Sequence, residues 1–427
     1  MALNLRLSSM ARALRHRNYR LFFAGQSISL IGTWVTKIAT SWLVYKLTDS
    51  PWLLGLVTFA SQVPSLLLSP LAGVWIDRAN THRVLLVTQV LAMLQSGLLA
   101  YFALTETIDV PSVLALSLFQ GLINVVDMPA RQSFLVEMIE DRQDLPNAIA
   151  LNSSMVNMAR LLGPSLAGLL ITAFGEGLCF TLDSLSYVAV IASLLAMRVS
   201  PRAVAIEEAA VWSQLKEGFL YVARFPPIRA VLVLLTLTSI AGAPYTLLTP
   251  VLAREVLHGQ AGMLGMLMAA SGLGALGAAL YLASRATVLG LGRVIAGSTA
   301  VFGASLIALG LSRSFVFSLL LMFASGLCMM LQMAATNTIL QTVADEDKRG
   351  RVMGFYTVAV FGTVPIGSLL AGALAERVGT AETLVLGGGL CLFAALCFAR
   401  TLPRLRAILR PVYQRLGILP APRPLAR

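Results

Sequence analysis

Charge is what this chain is short of. Only 12% of its 427 residues are Asp, Glu, Lys or Arg, against about 25% in soluble domains. Hydrophobic residues make up 57% and mean hydropathy is +0.80, which excludes an ordinary soluble globule and places the chain in lipid. Histidine is scarce: His16, His82 and His258 all fall in expected loops, so no histidine metal site assembles. The four cysteines, Cys179, Cys328, Cys391 and Cys397, sit in apolar runs without a Cys-x-x-Cys pair. Such thiols act as small buried hydrophobes rather than as a disulfide or metal set. The absence of a Gly-x-x-x-x-Gly-Lys loop argues against an ATP-driven pump. No nucleophile–base pair is evident either, so neither an enzyme nor a cofactor is expected.

Acids are scarcer than bases, at 20 against 32, for a net charge of +12. The first twenty residues hold Arg6, Arg12, Arg15, Arg17 and Arg20, the stretch from Arg400 onward holds seven Arg, and neither has an acid. A basic chain can bind nucleic acid, but basic ends flanking apolar runs set membrane orientation. No nucleic-acid partner is expected.

What is abundant is long apolar run. A span takes about twenty residues, and only helices or closed barrels satisfy their backbone in lipid. The runs are too continuous for barrel strands of about ten alternating residues. They predict an all-α membrane protein of twelve transmembrane helices in two six-helix bundles. The first six spans fall near 19–46, 52–76, 83–104, 111–138, 146–174 and 178–197. The second six fall near 228–253, 262–284, 293–311, 315–342, 351–376 and 382–399. The domains are then 1–197, a linker 198–227, 228–399, and a basic tail 400–427. In the linker, Val211, Trp212, Leu215, Phe219 and Leu220 recur at helical spacing, as in an amphipathic surface helix. The apolar run after the basic N-terminus is too long for a signal peptide and reads as the first span. With both termini cytoplasmic, even-numbered loops and termini hold 25 of the 32 basic residues, as positive-inside orientation requires. The loop 137–144 resists, with Glu137, Glu140, Asp141 and Asp144 against Arg142.

The halves repeat. Gly163, Gly168 and Gly175 recur 204 residues later as Gly367, Gly372 and Gly379, and Leu166-Ala167-Gly168 as Leu370-Ala371-Gly372. Parallel six-span repeats mark transporters whose site lies between two bundles. Small residues at these positions suit close helix packing, and Pro164 a kink.

Between spans two and three runs Gly73-Val74-Trp75-Ile76-Asp77-Arg78-Ala79-Asn80-Thr81-His82-Arg83. Its Gly73, Asp77, Arg78 and Arg83 resemble the loop signature of the major facilitator superfamily, with Asn80 in place of a glycine and His82 at a basic position. The resemblance implies a gating loop whose Asp77 meets the start of the span at Gly350-Arg351-Val352. Gly163-Pro164-x-x-Ala167-Gly168 resembles the core of a motif of proton-driven exporters in that superfamily. Arg17-Asn18-Tyr19-Arg20-Leu21-Phe22, Asp127-Met128-Pro129-Ala130-Arg131-Gln132 and Arg349-Gly350-Arg351-Val352 are similar to the branch containing the bacterial enterobactin exporter. These resemblances imply export from the bacterial inner membrane, driven by a proton gradient.

Ionisable residues inside spans usually mark a pathway or proton relay. Those expected here are Lys37, Asp127, Arg131, Arg160 and Asp183, all in the first half. Gln120, Asn124, Asp127 and Arg131 line one stripe of span four, Ser153, Asn157, Arg160 and Pro164 one of span five, and Gln26, Ser29, Thr33, Lys37 and Thr40 one of span one. Asp127 either carries the coupling proton or forms a permanent pair with Arg131 one turn on. Arg160, Lys37 and Arg131 are the expected substrate or partner cations, and their surplus over the acids suits an anionic substrate. Asp183 reads as structural. Gln26, Thr33, Asn124 and Asn157, with Tyr245, Gln332 and Asn337 of the uncharged second half, are the expected cavity lining.

The reading is a monomeric secondary transporter, in contact with membrane lipid, that exports a small amphiphilic or siderophore-like molecule by alternating access. Its rivals are an importer or lipid flippase of the same fold, and a non-transporting membrane sensor or scaffold.

Overall fold

The computed structural model describes residues 12–76, 79–198, 211–242, 244–285, 287–346, 348–416 and 418–419, with backbone alone for 69–71, 73–74 and 211–216. Among the described residues there is no strand. Six long helices come first: α1 (Arg17–Thr48), α2 (Pro51–Ile76), α3 (Thr81–Leu104), α4 (Val110–Glu137), α5 (Leu145–Phe174) and α6 (Glu176–Leu195). The linker helix α7 (Val211–Arg224) follows. Then come α8 (Pro226–Ala241), α9 (Tyr245–Val251), α10 (Ala261–Ala283), α11 (Leu291–Leu311), α12 (Phe315–Val343), α13 (Arg349–Thr357), α14 (Val364–Val378) and α15 (Thr380–Arg415).

Eleven crossings are long and apolar enough for a membrane by length and composition. Two of them are interrupted: α8 and α9 join near Gly242 and end in a π turn at Leu252–Val256, and α13 and α14 flank another at Val358–Gly362. The twelfth is α1, whose 32 residues are ample at 1.5 Å each. It is less apolar because Gln26, Ser29, Thr33, Lys37 and Thr40 lie along it.

Local chemistry sets the ends. Asp109 caps α4 by accepting the Ser112 amide at 3.0 Å, and hydrogen bonds from Ser112 hold this carboxyl below the usual carboxylate range. Asn80, the departure from the loop signature, caps α3 by accepting the Arg83 amide at 3.0 Å; an N-cap of this kind contributes about 1 kcal/mol. Gly175 and Gly379, with φ of +80° and +102°, make the turns into α6 and α15, where a side chain would be strained. They are one of the glycine pairs offset by 204 residues, so the repeat extends to backbone conformation.

The described chain divides into two compact units: Met1–Ile206 with Thr246–Ala269 and Ser368–Arg377, and Glu207–Tyr245 with Ala270–Gly367 and Val378–Arg427. In the first, α1 packs on α6 and α5, α2 on α4, and α3 on α6 and α4. The second repeats the scheme: α8 on α15, α11 on α15 and α12, and α10 on α12 where Gly274 meets Phe323 and Gly326 meets Ser271.

The offset glycines hold matching places. A Cβ at Gly163 would strike Trp34 of α1, and one at Gly367 would strike Ile240 of α8. Within the first unit, a Cβ at Gly168 would lie 2.8 Å from Gly265 Cα, and one at Gly372 3.1 Å from Gly55 Cα. These crossings seat the start of α10 on α5 and the end of α14 on α2, which is why segments 246–269 and 368–377 group with the first half of the chain.

In the expected linker, α7 is described from Val211 onward, and Glu207 and Glu208 lie outside the described residues. The helix of the last expected span continues past 399: α15 runs to Arg415 because Leu405, Leu409 and Tyr413, spaced by four, are buried in a cluster with Ile295, Ile339 and Phe398.

Candidate functional site

The acidic loop that resisted the orientation rule binds the N-terminal basic residues. Asp144 is buried and takes Arg12 at 3.3 Å, Arg15 at 2.8 Å and His16 at 3.0 Å, while Asp141 takes Arg15 at 3.0 Å. Asp141 and Asp144 are thus partners of the N-terminal turn, which sequence distance concealed, whereas Glu137 accepts from the Thr81 hydroxyl.

Of the gating-loop residues, Asp77 and Arg78 lie outside the described residues, Gly73 falls within α2, and Arg83 is exposed. His82, at the signature's basic position, bonds the Leu194 carbonyl of α6 at 2.9 Å. Arg351, the expected neighbour of Asp77, pairs with Glu217 of α7, as does Lys348 at 3.5 Å. Tyr221 of the same helix bonds the Asp345 carboxylate at 3.0 Å. Exposed ion pairs contribute about 0.2–1 kcal/mol each. Glu217→Ala should therefore weaken the docking of α7 by about 1 kcal/mol, a roughly fivefold rise in amide exchange over 217–224 measured by mass spectrometry.

Asp127 is buried between α3 and α4. Thr88 and Gln89 donate to its Oδ1 at 2.8 and 2.7 Å, and Arg131 pairs with Oδ2. Of the two readings of Asp127, the ion pair one turn apart is therefore present. Asp183 is a second buried carboxylate. It accepts Ser96 Oγ of α3 at 2.9 Å, and its Oδ1 faces the backbone of Gly32 in α1. Among the described residues no Lys or Arg forms an ion pair with it.

Lys37 and Arg160 meet elsewhere, on Trp34. The Lys37 ammonium lies 4.9 Å from the Trp34 ring centroid and the Arg160 guanidinium 5.9 Å. Gly163 makes this possible: without a Cβ, α5 closes on Trp34 and Ile31 of α1, which brings Arg160, one turn earlier, over the same indole. Lys37 is exposed, and Trp34 and Arg160 are half-buried. Among the described residues neither cation has a carboxylate partner.

The other expected lining residues divide. Gln26 is buried. Thr33 is exposed and sits 3.5 Å from the Tyr187 hydroxyl. Gln120 donates to Asn124 at 3.1 Å, and Asn157 back-bonds to the Ser153 carbonyl at 2.9 Å. In the second unit Tyr245 is buried against Ser271 at 2.7 Å, Gln332 donates to Thr238 at 3.0 Å, and Asn337 accepts from Gln341 at 2.6 Å.

Comparison with known proteins gives these features a family. The model of the transmembrane secretion effector family, of the major facilitator class, matches residues 8–412. The chain belongs to that family. It is a secondary transporter of the major facilitator type, a multi-pass membrane protein that moves a small molecule, and not an enzyme. Its relatives include the staphyloferrin A transporter of Staphylococcus aureus, 25% identical over 86% of this chain and 92% of that protein. Another is the multidrug efflux pump Tap of Mycolicibacterium fortuitum, 26% identical over 88% of this chain and 93% of that protein. Among solved structures, a bacterial homologue of the human lysosomal transporter Spinster, in an inward-facing, unoccupied conformation, superposes with a TM-score of 0.69 at 13% identity, covering 90% of this chain and 96% of that one. The nucleoside transporter NupG gives 0.67 at 14%, covering 91% and 99%. At such identities the likeness concerns the fold.

For a member of this family, the first unit also carries a polar seam that sequence reading missed. At the Asp49 end of α1, Tyr45 donates to Glu255, Arg254 pairs with Asp49 at 2.7 Å, and Lys46 pairs with Glu176 at 3.0 Å. Ser50 donates to Glu376 at 2.9 Å. Glu255 and Glu376 lie in loops and helix ends of the second half of the sequence, and only the fold brings them to Tyr45 and Ser50. Trp34 was missed as well. The available signal was an aromatic three residues before Lys37.

Proposed function

We propose that this transporter exports a small amphiphilic, siderophore-like molecule from the bacterial cytoplasm in exchange for protons. The observation that carries the reading is the concentration of ionisable side chains on α1, α4, α5 and α6, in helices that are otherwise apolar. Ionisable groups at such depth cost several kcal/mol on insertion unless they serve a path or a partner, and a scaffold has no use for them. The names of two relatives, a staphyloferrin A transporter and a multidrug efflux pump, agree with export of such compounds. In this reading 1–197 and 228–399 are the two bundles that rock about a midplane cavity, 198–227 joins them, and 400–427 follows as a basic segment. The chain acts as a monomer in the inner membrane with both termini cytoplasmic. Asp77 and Arg351 form part of the gate, and Glu217 holds Arg351 while that gate is open.

For the proton carrier, Asp127 is the first reading: its protonation would release Arg131 into the transport path. Asp183 is the second, because a carboxyl with no cation beside it loses least when neutralised. Proteoliposomes loaded with a compound panel under an imposed pH gradient decide the matter, with Asp127→Asn and Asp183→Asn beside the parent. The carrier variant should lose at least tenfold in gradient-driven flux while keeping gradient-free exchange. Full gradient-driven flux in both variants would remove both assignments. A parent that ignores the gradient with every compound would remove proton coupling.

A further inference from the structure

We infer that Trp34, Lys37 and Arg160 form a recognition site for the carboxylate of an amphiphilic organic anion. This rests on the transport reading above and names the chemical class that the site takes.

Two cations lie against one indole, at 4.9 and 5.9 Å from its centroid. Cation–π contact contributes about 0.5–2 kcal/mol, but it does not neutralise charge. The two like charges also repel each other, by an amount that grows as water is withdrawn. Other charges in this unit are met by an opposite charge or by a hydroxyl donor: Asp127 has Arg131, Asp144 has Arg12 and Arg15, Glu176 has Lys46, and the carboxylates of Asp183 and Glu137 accept from Ser96 and Thr81. Among the described residues, Lys37 and Arg160 have only the face of one indole. An arrangement that holds two cations together without an anion, on an exposed face of α1, is completed by an anion from outside the chain.

The side chains also define its shape. A guanidinium offers a planar fork that matches a carboxylate in two parallel hydrogen bonds, and an ammonium adds a mobile point charge. Trp34 and the neighbouring Ile31, against which α5 closes at Gly163, supply apolar surface beside that charge. A fully hydrated inorganic anion would leave this surface unused; an organic acid with a flat or apolar body uses both parts. Gly163 is a positioning residue here, since a side chain at that place would drive Arg160 away from Trp34.

The test is equilibrium binding to the purified full-length protein in nanodiscs, with no gradient and at about 0.15 M salt, where long-range attraction is screened. The probes are naphthalene-1-acetate and naphthalene-1-acetamide, which share a body and differ in charge. The parent should bind the acetate at least tenfold more tightly than the amide, about 1.4 kcal/mol. In Lys37→Gln/Arg160→Gln that preference should vanish while the amide's affinity stays within twofold. Lys37→Arg should retain the preference, which separates loss of charge from loss of fold. Trp34→Phe should weaken both probes together. Equal affinity of the two probes for the parent, a preference that survives in the double variant, or no binding of either probe would each overturn the assignment. A parent that binds the acetate as expected but moves no compound in proteoliposomes would instead refute proton-driven export and leave the site standing.

Discussion

Gly168→Leu should stop the transport cycle, with flux down at least tenfold. The physical reason is contact between backbones. A Cβ at Gly168 would sit 2.8 Å from Gly265 Cα and 2.9 Å from the Ala261 carbonyl oxygen, and a Cβ at Gly265 2.9 Å from the Pro164 carbonyl oxygen. None of these neighbours can turn aside as a flexible side chain would. Inserting methyl or larger groups into such a crossing costs about 1–3 kcal/mol in a packed core, and leucine cannot be housed without parting the helices. The distance can be read directly. A Cβ at Gly262 falls 3.3 Å from Thr172 Oγ1, so Thr172→Cys with Gly262→Cys, in a background without the four native cysteines, should cross-link readily. Adding Gly168→Leu should slow that cross-link about tenfold. An unchanged cross-linking rate would show that this crossing tolerates a side chain. Gly372→Leu should act in the same way at Gly55, its counterpart in the repeat.

Asp127→Leu should destabilise the protein by about 3–5 kcal/mol, the usual cost of removing one partner from a buried ion pair. The loss is more than that of one attraction. Arg131 is left without its carboxylate, and Thr88 and Gln89 lose the oxygen to which they donate at 2.8 and 2.7 Å. Replacing the pair together, Asp127→Leu with Arg131→Met, should recover most of the stability, because no uncompensated charge remains. Chemical unfolding in detergent, followed by tryptophan fluorescence, measures both. A double variant as unstable as the single one would mean that the hydroxyl and amide donors, rather than the charge, set the cost. The pair also bears on coupling: a proton on Asp127 would have to compete with three donors, whereas one on Asp183 would displace no cation.

The amino-acid sequence by itself determined the membrane class, the helical spans and the internal duplication, because these depend on local quantities. Apolar run length decides whether a segment can cross, a basic bias orients the loops, and an offset of 204 residues is visible in glycines alone. It also carried the charged positions of α1, α4 and α5, since an ionisable residue in an apolar run is conspicuous without any partner. What only the tertiary structure decided was which residues meet. Asp127, read either as proton carrier or as the partner of Arg131, does pair with Arg131 and with no other cation among the described residues. Lys37 and Arg160 converge on Trp34 because Gly163 lets α5 close on α1. Asp141 and Asp144 proved to be partners of Arg12, Arg15 and His16, more than a hundred residues earlier. The interruptions near Gly242 and Gly362 and the continuation of α15 to Arg415 were likewise hidden, because they arise from packing against neighbours and not from local preference. The loop around Asp77 identifies the class of machine. Lys37 and Arg160, by contrast, stand on separate helices, whose approach at Trp34 is governed by the absence of a Cβ at Gly163.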